Sequence, residues 1–208
     1  MSNAIITNLI QINAIKLNLA TPFKWVSGWN SPIYCDNRQT LSFPMVRRQI
    51  CEGFSNFIRS HYSDVGVVAG VATGAIAHAA FVAHELGLPM IYVRPEPKKH
   101  GLTNLIEGNL SAGQKVVVVE DLVSTGASSL AAVEALRGAG ANVLGMVAIF
   151  SYGFDVATER FARANVTLHT LATYQQLIEQ AVEMGIVDVK GLSTLRRWRE
   201  NPEGWGKE

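Results

Sequence analysis

The sequence predicts an α/β fold: a doubly wound, mostly parallel β-sheet with helices on both faces and a small N-terminal flap. Between residues 61 and 185, short β-branched apolar runs alternate with segments of helical composition. The run Val116–Val119 places only valines on both faces of the predicted strand, which is typical of a parallel sheet covered on both faces. The chain has 208 residues, 48% of them hydrophobic, so we expect a single domain over residues 1–208.

The predicted core, residues 61–185, repeats a strand followed by a connection that is usually a helix. Strands are expected at 65–69, 90–93, 115–119, 142–150 and 166–170, and helices at 75–86, 126–137, 154–164 and 174–184. Ligands of such sheets bind beyond the carboxyl ends of the strands. The loops that follow the strands are therefore the candidate positions for a site.

The segments that flank the core are predicted to be appendages and not a second domain. Residues 1–60 are expected to contain a helix over 3–16, two short strands within 23–36 around the Ser27-Gly28 turn, and a helix over 44–60. Residues 186–208 form a polar C-terminal tail, whose predicted helix carries Arg196, Arg197, Trp198 and Arg199. We expect the tail to be solvated or to pack on another subunit, and assign it no chemistry.

Charge and cysteine content exclude several classes of function. Lys plus Arg total 18 against 17 for Asp plus Glu, so a net charge of +1 gives no overall attraction to nucleic acid or anionic lipid. Cys35 and Cys51 are too few for a disulfide framework or a cysteine-rich zinc site. Residues 1–11 have no cationic leader. We expect a cytoplasmic protein with neither a nucleic-acid nor a membrane partner.

One segment, residues 66–83, has an alternative interpretation as a membrane helix. It is about long enough to span a bilayer, and Gly66, Gly70 and Gly74 have the spacing of small residues in packed membrane helices. The β-branched run before Gly70 and the turn-forming composition of 70–74 favour a strand, a loop and a helix instead.

The segment most informative about function is 116–129, VVVVEDLVSTGASS. A buried strand leads into Glu120 and Asp121 and then into a small polar loop, 124–128, that opens a helix. Two carboxylates can accept hydrogen bonds from vicinal sugar hydroxyls, while a helix N-terminus suits a phosphate dianion. Taken singly, a solvated acidic pair and a helix cap are alternatives. Together they predict a ribose phosphate site, and neither G-x-G-x-x-G nor G-x-x-x-x-G-K-[ST] occurs to indicate a dinucleotide or triphosphate site.

Two further loops follow predicted strands. In 70–74, glycines permit close approach of a ligand and Thr73 adds a donor; a tight turn that packs a helix on a strand is the alternative, and both can hold together. Residues 94–108 form a long connection with cations at 98–100, which is typical of a lid or of a solvated loop. Cations on a lid would stabilise a leaving group that gains negative charge.

These segments resemble a known family. VVVVEDLVSTGASS resembles the phosphoribosyl diphosphate (PRPP) signature of the type I phosphoribosyltransferases. SPIYCDNR at 31–38, GVATGAI at 70–76, and YVRPEPKKHG followed by NLIEG within 92–108 narrow the resemblance to the orotate phosphoribosyltransferase family. The resemblance covers nearly the whole chain.

The resemblance implies transfer of the phosphoribosyl group of PRPP to orotate, giving orotidine 5′-monophosphate and pyrophosphate in de novo pyrimidine biosynthesis. It implies Mg²⁺ held mainly by PRPP and water, with no protein ligand, and a homodimer in which residues 94–108, the hood, reach the partner's site. Lys98 and His100 are the implied catalytic residues, and Ser124 is an implied orotate contact. The implied PRPP-binding residues are Thr73, Arg94, Lys98, Lys99, His100, Glu120, Asp121, Leu122, Val123, Ser124, Thr125, Gly126, Ala127 and Ser128.

Some positions depart from the family pattern or have two interpretations. Many relatives carry a lysine where Thr73 stands, and some carry a lysine where Pro95 stands. Tyr34, in the flap that should recognise the base, can stack on a planar pyrimidine or pack in the core. Arg38 is as compatible with an ion pair as with a base carboxylate. His61, His78, His84 and His169 show no common metal spacing, and His78 and His84 are expected to be surface or packing residues.

Two other functions remain open at this point. The first is a phosphoribosyltransferase for purines or another nucleobase. The second is a non-catalytic, PRPP-sensing regulator of the same fold that binds nucleic acid, although the near-neutral charge argues against it. A bifunctional enzyme that also decarboxylates the product is not expected, because 208 residues leave no room for a second barrel.

Overall fold

The computed structural model describes residues 2–25, 27–96 and 104–206, and its centre is a sheet of six strands within those ranges. The strands are β1 Ile15–Leu17, β2 Phe23–Lys24, β3 Asn30–Ser31, β4 Ile33–Cys35, β5 Val67–Val71, β6 Met90–Val93, β7 Ile106–Glu107, β8 Lys115–Val123, β9 Asn142–Ser151 and β10 Leu168–Thr173. The helices are α1 Ser2–Gln11, a 3₁₀-helix Asn37–Ser42, α2 Pro44–His61, α3 Ile76–Leu86, α4 Ala127–Gly138, α5 Asp155–Arg163, α6 Tyr174–Glu183 and α7 Val189–Glu200.

The order of the central sheet is β10-β9-β8-β5-β6-β7, and all neighbours are parallel except β6 and β7. Successive side chains of a strand point to opposite faces, so one strand contributes to two cores. Val117 and Val119 pack in the cluster that includes α1, α2 and α3, whereas Val116 and Val118 pack in the cluster with α4 and α5. The predicted doubly wound, mostly parallel α/β fold is confirmed.

Strand β8 is longer than predicted and contains the two acidic residues. The sequence indicated an end at Val119, with the carboxylates beyond it, but pairing with β9 continues through Leu122 and Val123, which lie opposite Phe150 and Ser151. The ladder hydrogen bonds outweigh the low strand propensity of acidic residues. Glu120 and Asp121 therefore lie on a regular strand.

The segment expected to be the hood also contains a strand. Residues Ile106 and Glu107 form β7, which pairs with Val93 and Tyr92 of β6 at the edge of the sheet. The expectation of a loop over all of residues 94–108 is therefore wrong for Ile106 and Glu107. Nothing in the sequence indicated this strand, because two paired residues are too few to form a periodic pattern.

The N-terminal flap has four strands, β1 to β4, where two were predicted, and the first helix is shorter than predicted. Asn13 has a left-handed backbone, φ 58°, so the helix ends at Gln11, and β1 then pairs antiparallel with β4. Strands β2 and β3 pair around the Ser27-Gly28 turn and form the flap hairpin. Gly28 has φ 86°, a conformation that glycine adopts without strain.

The C-terminal helix α7 is part of the core. Trp198 is fully buried, its indole Nε1 donates to the carbonyl oxygen of Asn30 at 3.1 Å, and its ring lies 5.5 Å from that of Trp25. The expectation of a solvated tail is wrong for Trp198, although Arg196 and Arg197 are exposed. The helix thus holds the flap hairpin against the body of the protein.

The alternative of a membrane helix over residues 66–83 is not supported. The segment contains β5, a loop and α3, as the strand, loop and helix prediction required. In the described ranges, every helix is too short or too polar to cross a bilayer.

Candidate active site

The predicted site loops meet where the direction of winding changes. From β5 the chain proceeds to β6 on one side, while β8 and the strands after it lie on the other side. Because β5 and β8 are parallel neighbours, the loops after them share one edge of the sheet. A cavity of about 420 Å³ opens there, and Thr73, Gly74, Glu120, Asp121 and Ser128 are among its lining residues. It is called the acidic cavity below.

The two carboxylates of the acidic cavity have different surroundings. Glu120 is 4% exposed and accepts hydrogen bonds from the Ser129 hydroxyl, at 2.8 Å, and from the backbone N–H of Asp121, at 2.9 Å. The carboxylate of Asp121 lies over Gly74, where any Cβ would collide with it. Glycine at position 74 therefore leaves room for Asp121, which is more available to a ligand than Glu120 is.

Among the described residues, no Lys or Arg forms an ion pair with the acidic pair, although Arg38 lines the acidic cavity. Burial, and then the charge of Asp121, raises the pKa of Glu120 well above its ordinary value. Burial also raises the pKa of Asp121, although hydrogen bonds and the more distant Arg38 oppose the increase. The Arg38 guanidinium instead pairs with Asp36, with Nε 2.6 Å from Oδ1, as the ion-pair interpretation predicted. Hydroxyl donors of a ligand would relieve this electrostatic strain.

The loop before α4 presents free backbone donors beside the carboxylates. The first N–H groups of a helix have no partner within it, and no side chain caps α4 in the described structure. Gly126 has φ 75°, and a Cβ there would lie 2.9 Å from the Phe161 ring, so only glycine fits. Arg160 donates to the carbonyl oxygen of Thr125 at 2.9 Å and holds the loop in place. These features suit a phosphate at the N-terminus of α4.

The loop 70–74 packs a helix on a strand, as one interpretation predicted, while close approach of a ligand there stays a prediction. A Cβ at Gly70 would lie 2.9 Å from that of Ala79, so this glycine lets α3 pack on β5, whereas Gly74 faces Asp121. The peptide bond between Ala72 and Thr73 is cis, and both residues line the acidic cavity.

A second cavity, of about 390 Å³, adjoins the first and has aromatic walls; it is called the aromatic cavity below. Cys35 and Leu122 line both cavities. The predicted residues Tyr34 and Ser124 line the aromatic cavity, and Tyr34 is 40% exposed, so the core-packing alternative is wrong for it. Burial, with Asp121 and Asp36 nearby, raises the pKa of the Cys35 thiol, which stays neutral at the junction.

Sequence reasoning missed several residues of the aromatic cavity. These are Lys24, Trp25, Ser27, Trp29 and Tyr152. The first four surround the predicted Ser27-Gly28 turn, and Tyr152 follows β9 at the same edge of the sheet as the acidic cavity. The rule that ligands bind beyond the carboxyl ends of strands could have identified Tyr152.

Other predicted site residues lie at the margin of the cavities or outside the described structure. Arg94 pairs with Glu107 at 3.3 Å, at the base of the hood, and is not among the residues that line the two cavities. Val123 is fully buried, so only its backbone can face a ligand. Lys98, Lys99 and His100 lie outside the described residues.

The histidines of α3 behave as packing and surface residues, as expected. The His78 ring is buried, and its Nε2 lies 3.2 Å from the Thr40 hydroxyl. Burial, with a contribution from Arg47, lowers the pKa of His78 to about 4. His84 is exposed.

Known proteins share this sequence and fold. The family described as a phosphoribosyl transferase domain matches residues 46–170. Orotate phosphoribosyltransferase of Cytophaga hutchinsonii is 54% identical to this chain over 200 residues, which are 96% of each protein. That of Porphyromonas gingivalis is 51% identical over 206 residues, 99% of this chain and 98% of that protein. The crystal structure of orotate phosphoribosyltransferase from Aeropyrum pernix matches with a TM-score of 0.76 and 31% identity, over 88% of this chain and 99% of that one.

Proposed function

This chain belongs to the orotate phosphoribosyltransferase family, and on that premise we propose how its two cavities divide the reaction. It is a pentosyltransferase of pyrimidine biosynthesis, which transfers the phosphoribosyl group of PRPP to orotate and yields orotidine 5′-monophosphate and pyrophosphate. One observation carries the assignment of the site: the acidic pair, with Glu120 buried and Asp121 half-buried, lies beside the uncapped N-terminus of α4, at the sheet edge where β5 and β8 meet.

PRPP occupies the acidic cavity in this proposal. Its 5′-phosphate binds the backbone N–H groups and hydroxyls of residues 124–128, and its ribose hydroxyls donate to Asp121, with Glu120 beside it. The pyrophosphate lies toward Thr73 in the 70–74 loop. Thr73 has no positive charge. Backbone N–H groups therefore contribute more to pyrophosphate binding in this chain than in relatives that carry a lysine at this position.

Orotate occupies the aromatic cavity. The volume of about 390 Å³ is within the range of small-molecule sites, and the exposed ring of Tyr34 provides a stacking surface. The Ser124 hydroxyl lies on the lining and can donate to the base. Since both cavities share Cys35 and Leu122, the base nitrogen and the anomeric carbon of PRPP would meet at that junction.

The mechanism rests on positioning and electrostatics. Positive charge develops on the ribose ring as the bond to pyrophosphate breaks, and in this proposal the ionised Asp121 carboxylate at the cavity wall stabilises it. Negative charge develops on the pyrophosphate, for which we propose Lys98 and His100 as the catalytic cations, with Arg94 and Lys99 as further contacts. Orotate can lose its ring proton before it binds, so the chain needs no strong base.

Mg²⁺ fits the acidic cavity as an ion carried mainly by oxygens of PRPP and by water. The observation that supports it is the acidic pair on the cavity wall, which offers the oxygen atoms that a hard cation prefers and forms no ion pair with a Lys or Arg of the described residues. When bound, the ion would neutralise charge on the pyrophosphate. Glu120 and Asp121 would hold it indirectly, through the ribose hydroxyls and water.

The hood residue Lys98 is expected to act on the leaving group. Replacing Lys98 with alanine should lower kcat by about a hundredfold, with a smaller change in the Kd of PRPP, because the charge matters most when pyrophosphate departs. Single-turnover rates and PRPP titration separate the two quantities. An unchanged kcat would contradict the proposal that Lys98 of the hood stabilises the leaving pyrophosphate.

We also propose a homodimer in which the hood completes the partner's site. Apolar side chains are exposed around the start of α2 and on α3, namely Phe43, Met45 and Phe81, of which Met45 is 74% exposed. The Arg47 guanidinium lies 4.8 Å from the centre of the Phe81 ring on this surface. Such a patch suits the interface of a symmetric dimer.

Mixed dimers test this arrangement. If the hood acts in trans, equal amounts of the inactive Lys98→Ala and Asp121→Ala chains, once exchanged, should regain about a quarter of wild-type activity, because half of the dimers are mixed and each has one intact site. Hoods that act in cis would leave the mixture inactive.

Two further proposals concern the chain as a whole. The flap of residues 1–60, the core of 61–185 and the tail of 186–208 form one functional unit, which the bond between Trp198 and Asn30 supports. A cytoplasmic location is supported by Cys35 and Cys51, both free thiols.

The substrate assignment is tested by pyrophosphate release from PRPP and Mg²⁺ with a panel of bases. Release should depend on orotate, and adenine, guanine and uracil should give little. Turnover of a purine without turnover of orotate would contradict the assignment. Salt-dependent binding of DNA without product formation would favour a regulator instead.

A further inference from the structure

The most unusual polar group in the aromatic cavity is the hydroxyl of Tyr152. The residue is only 2% exposed, and its ring is held by Trp25, Phe154 and Trp198, with centroid distances of 4.9, 5.5 and 5.7 Å. These contacts fix the direction of the side chain. Tyr152 also lines the aromatic cavity, so part of this rigid side chain faces the space assigned to the base.

The Tyr152 hydroxyl has no hydrogen-bond partner in the part of the chain that the structure describes. In those same ranges, every side-chain polar atom that is sealed from solvent does have a partner. The unpartnered hydroxyl is therefore not sealed from solvent, and it belongs to a residue that lines the aromatic cavity. Tyr174 is different: it is equally buried, but its hydroxyl donates to the carbonyl oxygen of Leu195 at 3.0 Å.

We propose that the Tyr152 hydroxyl is a specificity-determining group that donates a hydrogen bond to an oxygen atom of the pyrimidine substrate. This inference rests on the proposed function, since it requires orotate in the aromatic cavity. Because the Tyr152 hydroxyl makes no hydrogen bond to the described residues, it is free to donate to a ligand oxygen, and hydrogen bonds to charged groups are stronger than those between neutral groups. Orotate is an anion whose ring carbonyl and carboxylate oxygens can accept this hydrogen bond, and an ionised acceptor makes the bond stronger.

The protonation state of Tyr152 agrees with this role. Burial raises the pKa of its hydroxyl well above the ordinary value, with a further contribution from Cys35 and Tyr34, which also line the cavity. The group therefore remains a neutral donor at any pH at which the enzyme would work. A phenolate would repel the anionic base, whereas the phenol attracts it.

Tyr152→Phe tests the proposal because it removes one oxygen and leaves the packed ring. We expect the KM for orotate to rise about tenfold to a hundredfold, since a hydrogen bond to a charged ligand is lost. The KM for PRPP should stay within about twofold of wild type, and the thermal midpoint should not fall, because no hydrogen bond within the protein is lost.

Tyr174→Phe is the matched control, because it makes the same chemical change at a hydroxyl that faces away from the cavity. It should lower the thermal midpoint and leave the KM for orotate unchanged. The proposal is overturned if Tyr152→Phe retains the wild-type KM for orotate, or if it raises the KM values of orotate and PRPP equally. A wild-type enzyme that does not turn over orotate would overturn the proposed function itself, whichever result the variant gives.

Discussion

Replacing Asp121 with alanine is expected to lower kcat/KM for PRPP by about 10²- to 10⁴-fold, since the change removes one or two hydrogen bonds between a carboxylate and ribose hydroxyls. Its carboxylate lies over Gly74 and lines the acidic cavity, so its loss affects the ligand more than the fold. Steady-state rates at varied PRPP, with orotate saturating, measure the effect. A variant with wild-type kcat/KM would contradict the ribose-binding role.

Asp121→Asn separates function from stability. The raised pKa values of Glu120 and Asp121 mean that the folded protein retains these protons to higher pH than the unfolded chain does. This difference makes the free energy of unfolding fall as pH rises from the ordinary carboxyl range through the raised values. In the asparagine variant, the free energy of unfolding should decrease less with rising pH, and at neutral pH the variant should be at least as stable as wild type. Its kcat/KM for PRPP should nevertheless be lower.

The second large effect is expected from Trp198→Ala. Trp198 is fully buried against several rings, and truncation of such a side chain costs about 3–5 kcal/mol of unfolding free energy. It also leaves the carbonyl oxygen of Asn30 without its donor. Since Asn30 belongs to the flap hairpin, the KM for orotate should rise as well. Urea denaturation and steady-state kinetics measure the two effects.

Two variants serve as controls for Trp198. Arg197→Ala alters the exposed neighbour on α7 and should change the unfolding free energy by less than about 0.5 kcal/mol. Trp198→Phe keeps most of the packing but loses the indole N–H, so it should lie between wild type and alanine. If Trp198→Ala were as stable as Arg197→Ala, the core role of α7 would be wrong.

The central sheet could be predicted because its strands are buried on both faces. Met90–Val93 was predicted to the residue, and Lys115–Val119 correctly at its start, because a continuous apolar run marks such strands. The acidic pair and the loop at 124–128 could also be identified, since the residues proposed to bind PRPP follow one another on a single strand and turn. Residues that are adjacent along the chain form local patterns, which can be recognised in a single sequence.

The aromatic cavity could not be predicted in the same way because distant segments build it. The pairing of Ile15 with Cys35 involves three-residue strands, which leave no periodic pattern. The contact between Trp198 and Asn30 joins residues 168 positions apart, and a polar tail with one tryptophan gives no indication of it. Tyr152 is a core residue by composition, and of its signals only its place directly after β9 could be read from the sequence.

The most direct measurement is a crystal structure of the protein with PRPP and Mg²⁺. The ribose hydroxyls should lie within hydrogen-bond distance of the Asp121 carboxylate, and the 5′-phosphate should contact the backbone N–H groups of residues 124–128. PRPP bound elsewhere, for example in the cavity of about 470 Å³ lined by Phe57 and His169, with the acidic cavity vacant, would contradict the account.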